Sequence, residues 1–257
     1  MPIKNILPPL LLLCASYISI PVQAQQAPVD PAISVEFSRE HQSLSNGYPA
    51  WNEHTLRLAR SRKQEMHSEV SWTSARRFGL QNEQYAAQYG QALDQQLYAT
   101  VGASYSPEHE LLPQHSVEGM LQYQFAPGWL IHGGWKSMHY DAGSVGQGTL
   151  ILEQYVAAFS WALAWRPTWA LGTRTYSREL RLSYYPGDQD SATLSLSSGQ
   201  AILAAGSTLL LVDVQSAALI GRHWFNSRWS ASYGLNSTHV SNLYTRTGIR
   251  AGVQYVF

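Results

Sequence analysis

The sequence predicts an all-β protein: a closed, antiparallel, up-and-down transmembrane β-barrel of about 14 strands, with 12 as the alternative count. Three observations carry that prediction. Apolar and polar residues alternate with period two through most of the chain after residue 31. The alternating segments reach about 9–13 residues, enough for a tilted membrane crossing, whereas soluble strands usually run to ~5–6. Charged residues are only 13% of the 257, while aromatics reach 12%.

The same composition excludes several classes. Lys plus Arg and Asp plus Glu stand at 17 each, a net charge of zero, so the basic excess of a nucleic-acid binder is missing. Fifteen Tyr and nine Trp argue against disorder. A single Cys removes a disulfide scaffold and any multi-cysteine metal site, and no cofactor is expected. Mean hydropathy is still negative, at −0.21, because Gly, Ser, Thr, Gln and Asn dilute the apolar residues in place of ions.

Residues 1–24 read as a secretory signal peptide. Lys4 precedes the apolar run Leu7 to Ile20, and Val22-Gln23-Ala24 is a small-x-small motif with cleavage expected after Ala24. The run is too short for a transmembrane helix. Cys14 follows Leu11-Leu12-Leu13, which lacks the small residue that a lipid-attachment site wants before its Cys. Residues 25–31 are then a short periplasmic segment and residues 32–257 the barrel.

Strands are expected to start near residues 32, 51, 65, 80, 96, 115, 129, 149, 160, 174, 190, 209, 228 and 244. In the first, Ile33, Val35 and Phe37 alternate with Ser34, Glu36 and Ser38. In the last, Ile249, Ala251, Val253, Tyr255 and Phe257 alternate with Gly248, Arg250, Gly252 and Gln254. Either face of Leu209 to Arg222 fits the lipid side. Longer connections are expected over Gln42–Ala50, Ser106–Gln114, Asp141–Gly148, Gly199–Thr208 and Asn236–Leu243, and tight turns at the other end, which therefore faces the periplasm with both termini. Tyr255 and the terminal Phe257 resemble the signal by which such barrels are recognised for assembly. Outer-membrane lipid, the barrel-assembly machinery and periplasmic chaperones are the expected partners, and the cell outer membrane the location.

Facing the apolar positions outward turns a set of charges into the lumen: Glu36, Glu53, Arg57, Glu69, Glu118, Glu179, Arg181, Arg246 and Arg250. Their mixed signs predict internal ion pairs rather than a ring that selects ions by charge. Closure of the first strand on the last brings Glu36 toward Arg250. Fourteen strands lie between filled eight-stranded barrels and sixteen-stranded aqueous porins, so a narrow or blocked lumen is expected. Tyr98 and Tyr155, facing inward, offer rings on which a saccharide can stack.

Metal and catalytic constellations are weak. Glu108-His109-Glu110 with His115 has the donors for a divalent cation, but a loop does not hold their geometry, so no metal is expected. Asp188 and Asp190 suit a turn beside Pro186-Gly187. A rim enzyme acting on lipid or peptide would need His41, His139 with Asp141, or His239 to meet a nucleophile, and none has one by signature. No catalytic residue is expected, and the leading functional reading is a non-enzymatic envelope barrel, with a narrow channel or an accessory for saccharide passage as its finer form. A protein that binds partners through surface loops is the other alternative.

Spread along the mature region are Phe37-Ser38-Arg39-Glu40, a Ser-Asn-Gly loop, Trp51-Asn52-Glu53, Arg76-Arg77-Phe78-Gly79-Leu80 with Gln84-Tyr85, Gly102-Ala103-Ser104-Tyr105-Ser106-Pro107 and Pro127-Gly128-Trp129. In order and spacing this series resembles the YaiO family of outer-membrane β-barrel proteins over roughly the whole mature chain. The resemblance implies an outer-membrane location and no established enzymatic activity. Related barrel domains end larger exopolysaccharide-export proteins.

Overall fold

The computed structural model describes residues 10–12, 32–62, 65–170, 172–187, 189–205 and 208–257. The signal cleavage point at Ala24, the segment 25–31 and Asp188 lie outside these residues. Numbered from the first barrel strand, the elements are β1 (Ala32–Leu44), β2 (Trp51–Arg62), β3 (Met66–Arg77), β4 (Leu80–Ala92), β5 (Leu97–Tyr105), β6 (His115–Ala126) and β7 (Trp129–Tyr140). They continue as β8 (Gly143–Val156), β9 (Phe159–Ala170), β10 (Thr173–Tyr184), β11 (Ser191–Ala205), β12 (Thr208–Trp224), β13 (Trp229–Val240) and β14 (Tyr244–Val256). Each strand pairs antiparallel with the next, and β14 pairs back onto β1 from Arg246 opposite Leu44 to Val256 opposite Ser34. The wall is therefore a closed 14-stranded barrel with no free edge. Outside it, the backbone of Leu10–Leu12 pairs with Leu203–Ala205.

Period two does the sorting. On β1 the odd residues Ile33 and Phe37 face outward and are exposed, while Glu36 and Ser38 face the lumen and are buried. On β9, Phe159, Leu163, Trp165 and Trp169 face outward. The usual soluble arrangement is inverted: large apolar side chains cover the outside, where lipid solvates them, and polar groups fill the inside. The register of β12, open from sequence, is settled. Val212, Ala218 and Arg222 face the lumen and Leu211 and Leu219 face lipid.

Strand tilt is visible in the pairing. His41, near the far end of β1, is level with Ile249, which pairs with Leu235, then Leu219, Leu194 and finally Leu182 near the terminal end of β10. Each hydrogen-bonded row thus descends as it winds around the wall, as closure by tilted strands requires. Aromatic residues mark the terminal end of the apolar band, where Trp229 packs on Tyr255 and Tyr255 on Phe257, with ring centroids 4.7 and 4.9 Å apart. The end at which β1 begins and β14 finishes is the terminal end, and the opposite end is distal.

The connections correct the expected loop asymmetry. The strand expected near 149 begins at Gly143, so Asp141 and Ala142 alone join β7 to β8. β11 runs to Ala205 and β12 begins at Thr208, and Ser241–Leu243 join β13 to β14, where longer loops over 199–208 and 236–243 were expected. The reason is physical. Above the lipid band the outward residues become polar (Ser237, His239, Thr245 and Thr247), so apolar alternation stops before backbone pairing does. On β8 the glycines that suggested a loop sit beneath neighbouring side chains instead: a Cβ on Gly146 would lie 2.5 Å from the Trp135 ring. Among the described residues, long distal connections remain at 45–50 and 106–114, and β10 and β11 are separated by residues 185–190 at the terminal end.

Candidate functional site

The lumen carries the chemistry, and its first part is a brace across the seam where the barrel closes. Glu36 on β1 is buried and its Oε2 accepts from Arg222 Nη2 on β12 at 2.9 Å, with Arg57 Nη1 of β2 at 3.8 Å. Ser232 Oγ on β13 donates to its other oxygen at 3.2 Å. Arg57 Nε in turn lies 2.9 Å from Glu69 Oε1 on β3, and His67 is 3.5 Å from the same carboxylate. Arg222 reaches Glu36 past β14, where Gly252 leaves room: a Cβ there would lie 2.5 Å from Ser232 Oγ and 2.9 Å from Ser38 Cβ. The expected partner was Arg250. That residue is opposite Glu40 and donates to Ser38 Oγ at 3.0 Å. A shorter reach along the same strand face brings it to the hydroxyl first.

The opposite wall repeats the pattern. Glu118 pairs with Lys136 at 3.0 Å, and His132 Nε2 donates to Glu153 at 3.0 Å. Glu179 collects Arg166 at 2.6 Å, Ser195 Oγ at 2.7 Å and Arg181 at 3.8 Å. Glu53 is paired with Arg77 at 3.1 Å. The candidates Glu36, Glu53, Arg57, Glu69, Arg181 and Arg250 thus all lie on the inward face. Arg77, His132, Lys136, Glu153, Arg166 and Arg222 belong with them and were missed. Strand parity alone would have found them, since each sits at an even or odd position shared with an inward neighbour. Both signs are interspersed along the wall and most of these charges are paired, so the lining is not a ring of one charge.

The distal mouth is different. Leu44, Trp51, Val212, Val240 and Tyr244 form a buried apolar cluster on inward positions of β1, β2, β12, β13 and β14, with Phe78, Ala201, Val214 and Leu243 against it. Trp51 is only 2% exposed. Phe78 packs edge-on to its ring at 5.1 Å, and Arg77 and Arg246 lie over it at 5.0 and 4.7 Å. Phe78 and Gly79 both have positive φ (54° and 85°), the two-residue turn that matches strand twist. An aromatic residue there is a strained choice, and the edge-on packing of the Phe78 ring against Trp51 offsets that strain.

Across the mouth the 106–114 connection is pinned to the inner wall. Asn82, fully buried on β4, accepts from the Leu111 amide at 2.6 Å and donates to Glu110 at 2.6 Å. His109 contacts Asp141 at 2.9 Å. Met138, Tyr140, Val145 and Ala170 form a second apolar cluster beside it. At the terminal end, Tyr155 faces the lumen and stacks on Tyr185, with centroids 6.2 Å apart.

The other sequence candidates do not assemble. Glu108, His109, Glu110 and His115 part company: His115 points outward and stacks on His139 at 4.9 Å. Among the described residues no group of three His, Cys, Asp or Glu converges as metal ligands. Asp190 anchors a turn, accepting from the Trp224 amide and from His223 Nδ1, both at 2.8 Å. His41, His139 and His239 all face outward and lie beside the neutral partners Asn52, Ser144 and Thr245, at 2.9, 3.0 and 3.1 Å.

The family model for the YaiO membrane beta barrel domain matches residues 32–202. The chain belongs to the YaiO family. No curated relative matches its sequence. Solved structures share the fold. The YaiO-family barrel superposes on the Acinetobacter baumannii outer membrane protein Omp33 with TM-score 0.55 at 8% identity, covering 90% of this chain and 100% of that one. It superposes on Pseudomonas putida OprB with TM-score 0.53 at 8% identity, over 89% and 94%. For the translocator domain of the autotransporter NalP from Neisseria meningitidis the TM-score is 0.51 at 12% identity, over 91% of each. This YaiO-family protein is an outer-membrane β-barrel.

Proposed function

We propose that this barrel is a non-enzymatic conduit, constricted at its distal mouth, for small polar solutes, with saccharides as the favoured class. In this reading the end where β1 begins and β14 finishes faces the periplasm, and the Trp51 cluster faces outward from the cell. The observation that carries the reading is the pairing of an ion-neutralised lining with a buried apolar cluster on inward positions at the mouth. Paired carboxylates and guanidiniums give a solute hydrogen-bonding partners without selecting its charge, and Trp51 held between Arg77 and Arg246 narrows the passage. Tyr155 and Tyr185 supply a ring face at the other end, of the kind on which sugars stack. What supports the non-enzymatic part is the outward orientation of His41, His139 and His239 and their neutral neighbours.

The test is single-channel conductance in planar bilayers. Wild-type protein should show small conductance steps, Trp51→Ala steps several-fold larger, and added oligosaccharide should interrupt the current in both. Silence from both proteins at every voltage would remove the conduit. Current unaffected by oligosaccharide would leave the conduit and remove the saccharide.

A further inference from the structure

We propose that the outward patch of Arg39, His41, His54 and Arg76, on β1–β3 at the distal edge of the lipid band, binds the phosphate groups of a glycolipid in the distal leaflet. The geometry begins with the contrast between two sets of arginines. Inward Arg57, Arg77, Arg166, Arg181 and Arg222 each meet a glutamate within 4 Å. Outward Arg39 and Arg76 are exposed and meet no carboxylate among the described residues. The acidic side chain that shares their face, Glu83, already accepts from Trp72 Nε1 at 3.2 Å and from Tyr85 at 3.1 Å.

The four groups are contiguous. Arg39 is opposite His54 across β1–β2, and His41 is opposite Asn52, which is opposite Arg76 across β2–β3. The patch is also fixed in place: His54 stacks on Phe37 with centroids 6.2 Å apart, and His41 Nδ1 lies 2.9 Å from Asn52 Oδ1. Toward the terminal end the same outward face is apolar, with Phe37, Leu56, Val70 and Trp72. Within the patch the neighbouring outward residues Asn52 and Ser74 are polar, and so is Ser43 beyond it toward the distal end. Arg39 sits at the boundary, opposite Ala251 of β14.

A guanidinium at that boundary can extend its head to the interface, and there its forked donors suit phosphate oxygens. The apolar residues immediately below place acyl chains against the wall directly under the phosphate, which a free anion would not exploit. The ligand is therefore an amphiphile: a phosphorylated glycolipid of the leaflet at the distal end, which is the outer leaflet in the orientation proposed above. The test below reads binding to detergent-solubilised barrel, so its failure would count against the patch whichever end faces outward.

The purified folded barrel is titrated with bis-phosphorylated lipid A, and bound lipid is read by native mass spectrometry. Wild-type protein should retain it about tenfold more tightly than fully dephosphorylated lipid A, the increment of charge-assisted phosphate contacts. Arg39→Gln with Arg76→Gln should bring retention down to the dephosphorylated level, while Arg60→Gln, outward on the terminal side, should change nothing. Should the double variant fail to fold, Arg39→Gln alone and the comparison of the two lipids on wild-type protein still decide. Equal retention of both lipids, undiminished retention by the Gln variants, or complete displacement by millimolar inorganic phosphate would each overturn the proposal.

Discussion

Arg222 and Glu36 lie 186 positions apart in the chain, yet Arg222 Nη2 donates to Glu36 Oε2 at 2.9 Å across the seam of the barrel. The contact passes over Gly252, so backbone space on one strand, a hydroxyl on another and two opposite charges on two more are spent on the same junction. Glu36 keeps Arg57 nearby at 3.8 Å, so its burial does not depend on Arg222 alone.

Removing Arg222 should therefore weaken closure without abolishing it. Arg222→Ala is expected to lower unfolding free energy by about 1.5–3 kcal/mol, the worth of a hydrogen bond to a charged group. Gly252→Leu should cost as much or more, since its side chain would displace Ser232 and Ser38. Urea unfolding from lipid vesicles, followed by the gel mobility shift on heating, measures both.

Glu179 is the more demanding site. It is buried and holds Arg166, Arg181 and Ser195 together. Glu179→Ala leaves two guanidiniums facing each other in the wall and should destabilise by about 3–5 kcal/mol. Ser195→Ala removes one neutral donor and should cost about 1 kcal/mol. Similar losses for the two variants would refute the hub assignment.

Depth in the membrane makes a third prediction. Leu163 faces outward in the middle of β9, and Thr247 faces outward near the distal end of β14. Leu163→Arg should cost about 2–4 kcal/mol and Thr247→Arg about 0–1 kcal/mol. Refolding equilibria in vesicles compare them, and equal costs would mean that the lipid band lies elsewhere on the wall.

Phe257 separates assembly from stability. Its ring is exposed and packs edge-on to Tyr255, while its amide donates to the Ile33 carbonyl at 2.9 Å. Phe257→Ala keeps that backbone bond, so the refolded barrel should stay within about 1 kcal/mol of wild type. If the ring is read by the barrel-assembly machinery, the variant should reach the outer membrane poorly in cells. Normal membrane levels would remove the assigned role.

Much of this was legible in the chain. The alternation of Ile33, Val35 and Phe37 with Ser34, Glu36 and Ser38 fixes which face of β1 meets lipid, and the same rule places Arg57 and Glu69 inside. What parity cannot carry is the pairing between distant strands. Glu36 faces Arg222 and not Arg250 because tilt slides each strand along its neighbour, and the sum of those slides depends on every register in the wall. Loop lengths were misread for a related reason. Beyond the lipid, hydrogen bonding continues while outward side chains such as Ser237 and Thr247 no longer advertise a strand. The Trp51 cluster escaped because an inward apolar residue breaks the rule that identified the rest.

The burial of Trp51 also divides the nine tryptophans by solvent. Trp72, Trp129, Trp135, Trp161, Trp165, Trp169 and Trp229 stand on the outward face, whereas Trp51 and Trp224 stand on the inward one. Brominated lipid tails therefore darken the first group and spare the second. The residual emission comes from inside the barrel, from Trp51 at the distal mouth and Trp224 at the terminal end, and Trp224→Phe leaves Trp51 as an optical probe of the mouth that needs no label.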